Sequence, residues 1–255
     1  MKTVDSTLRA KVGELVVANW ILAHEGVVDV FGHVSMRHPS DPGRYLLSHS
    51  RSPELVTADD IVEFTLDGEA SDLRGRTPYG ERVIHGAIYE ARPDVGAVVH
   101  HHARELIPFT VTSVPLRPIT HTSAPIGAEI PVWDMRDRFG DTDNLVETAA
   151  HGRDLACCLG DAKAVLMRGH GCVAVGATLP EAVYIAIHLQ INARDQIRAM
   201  QMGTPVYLTP GEIEKAARRM GTPLALGRAW EYWCSRAGCG VPEVSSVALR
   251  ALAPA

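Results

Sequence analysis

The run Val95-Gly-Ala-Val-Val-His-His-His102 constrains this chain more than any other segment. It is apolar and β-branched up to its histidines, the pattern of a buried strand. Side chains alternate along a strand, so His100 and His102 share a face and His101 points the other way. Two neighbouring imidazoles repel when protonated and invite a metal when neutral. His170, isolated in Arg168-Gly-His-Gly171, is a candidate third nitrogen. Three protein ligands leave coordination positions open, which suits a catalytic metal rather than a structural one. Glu81 is then the ionisable group placed to move protons there. An isolated H-x-H is more often not a metal site, and a lone G-H-G is more often a turn. What favours the metal is that each candidate ends a strand or opens a helix, where sites in layered α/β proteins collect.

The chain has 255 residues, enough for one large domain with a full core. Its 46% hydrophobic and 22% charged content is that of an ordinary globular protein. A net charge of −5 gives no electrostatic case for nucleic acid or an anionic membrane. No stretch approaches the length of a membrane span, and the first residues carry no apolar signal core. Cys157, Cys158, Cys172, Cys234 and Cys239 are odd in number and form no C-x-x-C pair. Reduced thiols in a cytoplasmic protein are therefore expected.

Periodicity predicts a helix from Ser6, with Leu8, Val12, Leu15, Val16, Asn19, Leu22 and Ala23 on one stripe and Gly26 at its end. Val28 to Arg37 and Arg44 to Ser48 read as paired strands around the Pro39–Gly43 turn, and Ile61 to Leu66 as a third. Thr77-Pro78 predicts a helix start, with Glu81 over the stripe of Ile84 and Ile88 and an end at Pro93. Leu116 to Thr122 reads as a strand, and Asn144 to Leu159 as a helix. Ala164 to Met167 and Cys172 to Val175 read as strands around the His170 turn. Thr178-Leu-Pro-Glu181 is a capping box opening a helix to about Met202, and a last helical segment runs from Pro210 through Trp233. Its Trp230, Tyr232 and Trp233 suit either an interface or the core. One α/β domain spanning 1–245 and a loose tail at 246–255 are expected.

These segments in this order resemble the class II aldolase/adducin family. Gly32-His-Val-Ser35 is similar to the family's G-N-x-S loop, and Leu55–Val62 with Asp67-Gly68 to its L-T-x-x-D-[IV]-V…D-G stretch. Ile84–Asp94 followed by Ala97-Val-Val-His-His-His102 is a long match to H-x-x-I-Y-x-x-R-P-D…A-V-V-H-x-H. Arg168–Val175 and Glu181-Ala182 resemble the N-H-G…E-A region. The resemblance implies a three-layer α/β/α domain with a central, largely antiparallel sheet, usually a homotetramer with sites at subunit interfaces. It assigns His100, His102 and His170 to a divalent metal. Glu81 becomes the acid/base, or a further ligand when substrate is absent.

Departures from the family pattern sharpen the expectation. Its sugar-phosphate aldolases grip phosphate with a G-N loop, a T-x-S-G loop and a Ser-Ser pair before the glutamate. Here those positions read His33, Ser48-His-Ser-Arg-Ser-Pro53 and Tyr79-Gly80. A phosphate needs several converging amides and hydroxyls. Tyr79 fills that space with a ring, while Arg51 and His49 offer planar donors suited to a carboxylate. Ser50, His33 and Ser35 complete the expected substrate contacts. This pattern resembles the family's decarboxylases of hydroxylated aromatic dicarboxylates, including the enzyme of vitamin B6 degradation that acts on 3-hydroxy-2-methylpyridine-4,5-dicarboxylate, and dihydroxyphthalate decarboxylases. The resemblance favours Mn²⁺, with Zn²⁺ as the alternative, and Glu81 as proton donor with His121 or Tyr79 sharing the role. An aldolase of non-phosphorylated substrates keeps the same metal site. An adducin-like scaffold without activity is expected to have lost ligands that are all present here.

Overall fold

A computed structural model describes residues 6–239. The expected tail at 246–255, and the domain end at 245, lie outside the described residues. Seven strands form one sheet in the order β3-β2-β1-β4-β7-β6-β5. The strands are β1 (His33–Arg37), β2 (Arg44–Ser48), β3 (Ile61–Thr65), β4 (Ala97–His101), β5 (Val132–Trp133), β6 (Ala164–Met167) and β7 (Gly171–Gly176). Every pairing is antiparallel except β5 with β6.

Alternation along the strands divides the core between two faces. Val34, Met36, Ala97, Val99, Cys172 and Ala174 pack against α1 (Ser6–His24), α6 (Leu179–Met202) and α8 (Pro223–Arg236). Tyr45, Leu47, Val98, Val165, Val173 and Val175 pack against α2 (Arg82–Ala91) and α5 (Ala149–Leu159). The result is the expected α/β/α sandwich with a largely antiparallel sheet. Trp230 and Trp233 are buried in the first of these clusters, whereas Tyr232 is exposed. All five cysteines are free, and no helix among the described residues is long and apolar enough to cross a membrane.

Several boundaries differ from the periodicity reading, each for a local reason. Val28–Gly32 is not strand, because the Asp29 carboxylate accepts the Phe31 and Gly32 amides and folds the segment into a turn. α2 begins at Arg82 rather than near Thr77, since the Thr77 carbonyl is taken by the Ser50 amide at 2.8 Å. Glu81 is consequently the N-cap of α2 and not a member of its buried stripe. Leu116–Thr122 forms no strand. Pro115 and Pro118 withhold donors, and two amide side chains of α6 replace a neighbouring strand. Asn192 accepts the Ile119 amide at 3.0 Å and donates to the Arg117 carbonyl at 2.8 Å. Gln196 does the same for the Arg117 amide and the Pro115 carbonyl.

The expected helix from Asn144 starts at Ala149, where Thr148 caps it, leaving residues 144–147 as a loop. A break at Thr222, which caps α8, divides the expected C-terminal helix into α7 (Pro210–Met220) and α8. The short α3 (Ile107–Thr110), α4 (Arg136–Phe139) and strand β5 carry too few residues for a periodic signal.

One half-buried histidine makes this fold acid-sensitive. His188 of α6 stacks on Tyr184 with ring centroids 4.1 Å apart, and its Nδ1 is buried without a partner. Burial lowers its pKa from 6.5 to about 4. Below 6.5 the unfolded chain binds a proton that the folded chain refuses, so this contribution is complete above 6.5 and is lost as pH falls toward 4. At about 1.4 kcal/mol per pH unit the loss is on the order of 3 kcal/mol. His188→Phe, which keeps the stack, is expected to flatten this limb in urea unfolding between pH 7.5 and 4.5. An unchanged slope would reject the assignment.

Candidate metal centre and its cleft

The site forms where β4 ends. His100 is fully buried on the face covered by α2 and α5, and its Nδ1 donates to the Cys172 carbonyl of β7 at 3.1 Å. His102, just past the strand, brings its Nε2 to 3.0 Å from that of His100. His101 turns to the opposite face and meets the Cys172 sulfur. His170 sits in the turn between β6 and β7, with Nε2 3.1 Å from His102 Nε2. Its flanking glycines are geometric requirements. Gly169 has φ +64°, and a Cβ on Gly171 would lie 2.3 Å from the His101 carbonyl oxygen.

Glu81 closes the cluster from the head of α2. Its Oε1 accepts the Val146 amide at 2.9 Å, and its Oε2 lies 3.4 Å from His100 Nε2 and 3.6 Å from His170 Nε2. The four ligand atoms all lie within 4.8 Å of one another. Burial raises the Glu81 pKa, but His100 and His170 outweigh it and hold the carboxyl well below the usual range. Burial, with the charge of His100 next, pushes His102 down to about 4 against the pull of Asp29, so its ring is neutral at pH 7.

Hydrogen-bond polarity tests whether these residues suit a cation. A carbonyl only accepts, so His100 carries a hydrogen on Nδ1, and whenever the ring is unprotonated its lone pair is on Nε2. His102 is set the same way by the Asp29 carboxylate, 3.1 Å from its Nδ1. Two lone pairs 3.0 Å apart repel unless a proton or cation lies between them. Donor atoms at about 2.1 Å from a first-row divalent ion are themselves about 3.0 to 3.4 Å apart. Three imidazoles, two of them oriented by outer partners, plus one carboxylate, therefore fit a divalent metal.

A cleft of about 530 Å³ opens on Glu81, His102 and His170. His33, Ser50, Arg51 and Tyr79 line it. Arg51 is 41% exposed, and its Nε donates to the Leu55 carbonyl at 2.7 Å and lies 3.3 Å from Asp60. The Tyr79 hydroxyl donates to the Arg51 carbonyl, and its ring lies 4.5 Å from that of His33.

Three expected site residues are not brought to the cleft wall. His49 turns to Asp60, 2.9 Å from its carboxylate, because that buried acid needs donors. Ser35 is fully buried behind His33, bonded to His85 and Tyr89. His121 is exposed at the start of a 3₁₀ turn (His121–Ile126) and does not line the cleft. Other residues were missed. Asp29 orients His102 and turns the loop that puts Val30 and Phe31 on the cleft rim. Residues 144–147, hidden inside a predicted helix, supply the Val146 amide and place Leu145 and Glu147 in the wall. Asp29 stands three residues before Gly32, the spacing at which its carboxylate accepts the Gly32 amide, and that is the one sequence signal that could have found it.

Alanine at His100, His102 or His170 is expected to raise the Kd for Zn²⁺ by at least about 100-fold with helical circular dichroism intact. Asp29→Ala should cost about 10-fold, the range of an orienting partner. His101→Ala should retain metal but lose stability, since it empties a packed position on the other face. Full metal occupancy in any of the first three variants removes that residue from the ligand set.

Comparison with known proteins places this geometry. Residues 13–197 match the family described as the Class II Aldolase and Adducin N-terminal domain. Decarboxylase tropJ of Talaromyces stipitatus is 32% identical over 237 residues, covering 84% of this chain and 88% of that protein. The 3,4-dihydroxyphthalate decarboxylase of a Terrabacter species is 27% identical, covering 86% of this chain and 93% of its own. The L-fuculose 1-phosphate aldolase of Glaciozyma antarctica has the same fold, with TM-score 0.75 at 22% identity over 94% of this chain and 96% of its own. The chain belongs to the class II aldolase and adducin N-terminal domain family.

Proposed function

We propose that this protein is a divalent-metal-dependent carboxy-lyase that removes carbon dioxide from a hydroxylated aromatic dicarboxylate. The candidates are a dihydroxyphthalate and 3-hydroxy-2-methylpyridine-4,5-dicarboxylate. The observation that carries the reading is the wall formed by Tyr79 and Arg51 beside the histidine cluster. A buried ring stands where a phosphate grip needs small hydroxyl residues, and Arg51 lines the same cleft. Similarity over most of the chain to two decarboxylases supports it. Mn²⁺ is the favoured ion and Zn²⁺ the alternative, because three imidazoles accept either. The assembly proposed is a homotetramer.

A bound divalent ion supplies Lewis-acid stabilisation of negative charge on a substrate oxygen. Arg51 and Ser50 hold a carboxylate of the substrate, and the apolar Phe31 and Leu145 offer surface for its ring. Glu81 delivers a proton to the ring carbon bearing the departing carboxylate. The bond to that carboxylate then breaks, its electron pair returns to the ring, aromaticity is restored and carbon dioxide leaves. One proton enters for each carbon dioxide released. Glu81 must first gain its proton, which requires substrate to part it from His100 and His170, whose company keeps it ionised. Tyr79 is less suited to share this step, because its hydroxyl already donates to the Arg51 carbonyl.

Metal-reconstituted protein is to be screened against hydroxylated benzene and pyridine dicarboxylates and against non-phosphorylated aldols, following carbon dioxide and aldehyde together. Carbon dioxide release is expected. Glu81→Gln should lower kcat by at least about 100-fold, since an amide supplies no proton. Arg51→Ala should raise KM by about 10-fold or more with a smaller change in kcat, and Arg51→Lys should recover part of it. Solvent-proton exchange on a ketone donor, without carbon dioxide from any hydroxyaromatic acid, would overturn the decarboxylase reading in favour of an aldolase.

A further inference from the structure

A column of polar groups runs from the cleft into the sheet face covered by α2. His33 Nδ1 lies 2.7 Å from His85 Nε2, His85 Nδ1 2.6 Å from Ser35 Oγ, and Ser35 Oγ 2.8 Å from the Tyr89 hydroxyl. All four residues are buried, and the decarboxylation steps above use none of His85, Ser35 and Tyr89. The secondary structure builds the column directly. His33 and Ser35 are alternate residues of β1, and His85 and Tyr89 are one turn apart on α2. Arg37, the next residue on that face of β1, places its guanidinium 4.8 Å from the Tyr89 ring centroid.

The direction of the hydrogens follows from counting acceptors. The buried Tyr89 hydroxyl has Ser35 Oγ, 2.8 Å away, as the acceptor for its hydrogen. Ser35 then gives its hydrogen to its other partner, His85 Nδ1. His85 therefore carries its hydrogen on Nε2 and donates it to His33 Nδ1. With Nδ1 occupied as an acceptor, His33 is a neutral ring whose hydrogen sits on Nε2. The reverse polarity would strand the buried Tyr89 hydroxyl hydrogen without an acceptor, which proteins avoid.

We propose that His33 is a catalytic residue that presents a neutral Nε2–H to an oxygen anion of the substrate, with its tautomer dictated from Tyr89 through Ser35 and His85. The ligand class, an aromatic carboxylate, rests on the decarboxylase reading; the tautomer does not. A neutral imidazole fixed as a donor stabilises charge gathering on an oxygen without giving up its proton, so no bond is broken at His33. His85, Ser35 and Tyr89 are positioning residues. They deny His33 the alternative tautomer, in which Nε2 would present a lone pair to an anion.

Long-range ¹H–¹⁵N spectra of histidine-labelled, Zn²⁺-loaded protein test the tautomer directly, with signals assigned through His33→Gln and His85→Gln. Both rings are expected to be neutral with the hydrogen on Nε2. Tyr89→Phe removes the group that sets the direction. It should populate the Nδ1–H form of His33 and weaken binding of phthalate, an unreactive dicarboxylate, by about three- to tenfold at unchanged zinc content. If Tyr89→Phe does not fold, Ser35→Ala breaks the column at its next link, and the measurement on the unaltered protein still decides. His33→Phe should weaken phthalate by at least about tenfold, and His33→Gln should recover part of this, since an amide still donates. An Nδ1–H tautomer in the unaltered protein, or phthalate binding indifferent to His33→Phe, would overturn the proposal. If the tautomer and phthalate binding are as expected but no hydroxyaromatic acid loses carbon dioxide, the donor stands and only the decarboxylase reading falls.

Discussion

Neutral imidazoles do not gather with their lone pairs facing one another unless something compels them. Here the Nε2 atoms of His100 and His102 face each other across 3.0 Å, each fixed by an acceptor behind the ring. Much of the chain near the cleft serves to hold this arrangement. β7 supplies the Cys172 carbonyl, and the turn after α1 supplies Asp29. The glycine-flanked turn between β6 and β7 delivers His170, and the head of α2 delivers Glu81. The antiparallel register of β4 against both β1 and β7 is therefore a requirement of the site and not only of the core. A slip of one residue on β4 would exchange His100 for His101 and empty the cluster.

The outlines of this arrangement were legible in the sequence because they rest on periodicity. A strand alternates, so His100 and His102 had to part from His101, and they do. The helix and strand stripes likewise located α1, α6 and most of the sheet. What escaped was set by side chains acting on backbone groups. Asp29 converts a run that reads as strand into a turn, and the amides of Asn192 and Gln196 satisfy a segment that reads as strand without giving it a strand partner. The Val146 amide reaches Glu81 from 65 positions away, a separation no local pattern encodes. His49 failed for a related reason. Its planar donor was recognised, but not the buried acid at Asp60 that consumes it.

Asp60 also explains why the loop carrying Arg51 has a definite shape. Its carboxylate accepts the Thr57 amide and hydroxyl at 2.8 Å each, receives His49 at 2.9 Å and lies 3.3 Å from Arg51. The Tyr79 hydroxyl fastens the Arg51 carbonyl from the other side. An arginine on an unpinned loop would spend much of its binding energy on side-chain ordering. Held at its Nε and at its backbone, Arg51 has little freedom left to lose on meeting the carboxylate proposed for it.

The same logic reaches its limit in the column from His33 to Tyr89. Four polar side chains are buried where apolar ones would stabilise the sheet at least as well, and each is acceptable only because the next satisfies it. Burial, with the charge of His100 next, lowers the His85 pKa to about 3, so this ring enters the network neutral and relays direction rather than charge. A hydrogen-bond chain without charge has two possible polarities, and one buried hydroxyl at its end chooses between them. A sheet that could have been closed with leucines thereby gains a cleft residue whose donor character is settled before any ligand arrives. The cost of burying polar groups is thus tied to the one place in the cleft where a donor and an acceptor would have opposite effects on an anion.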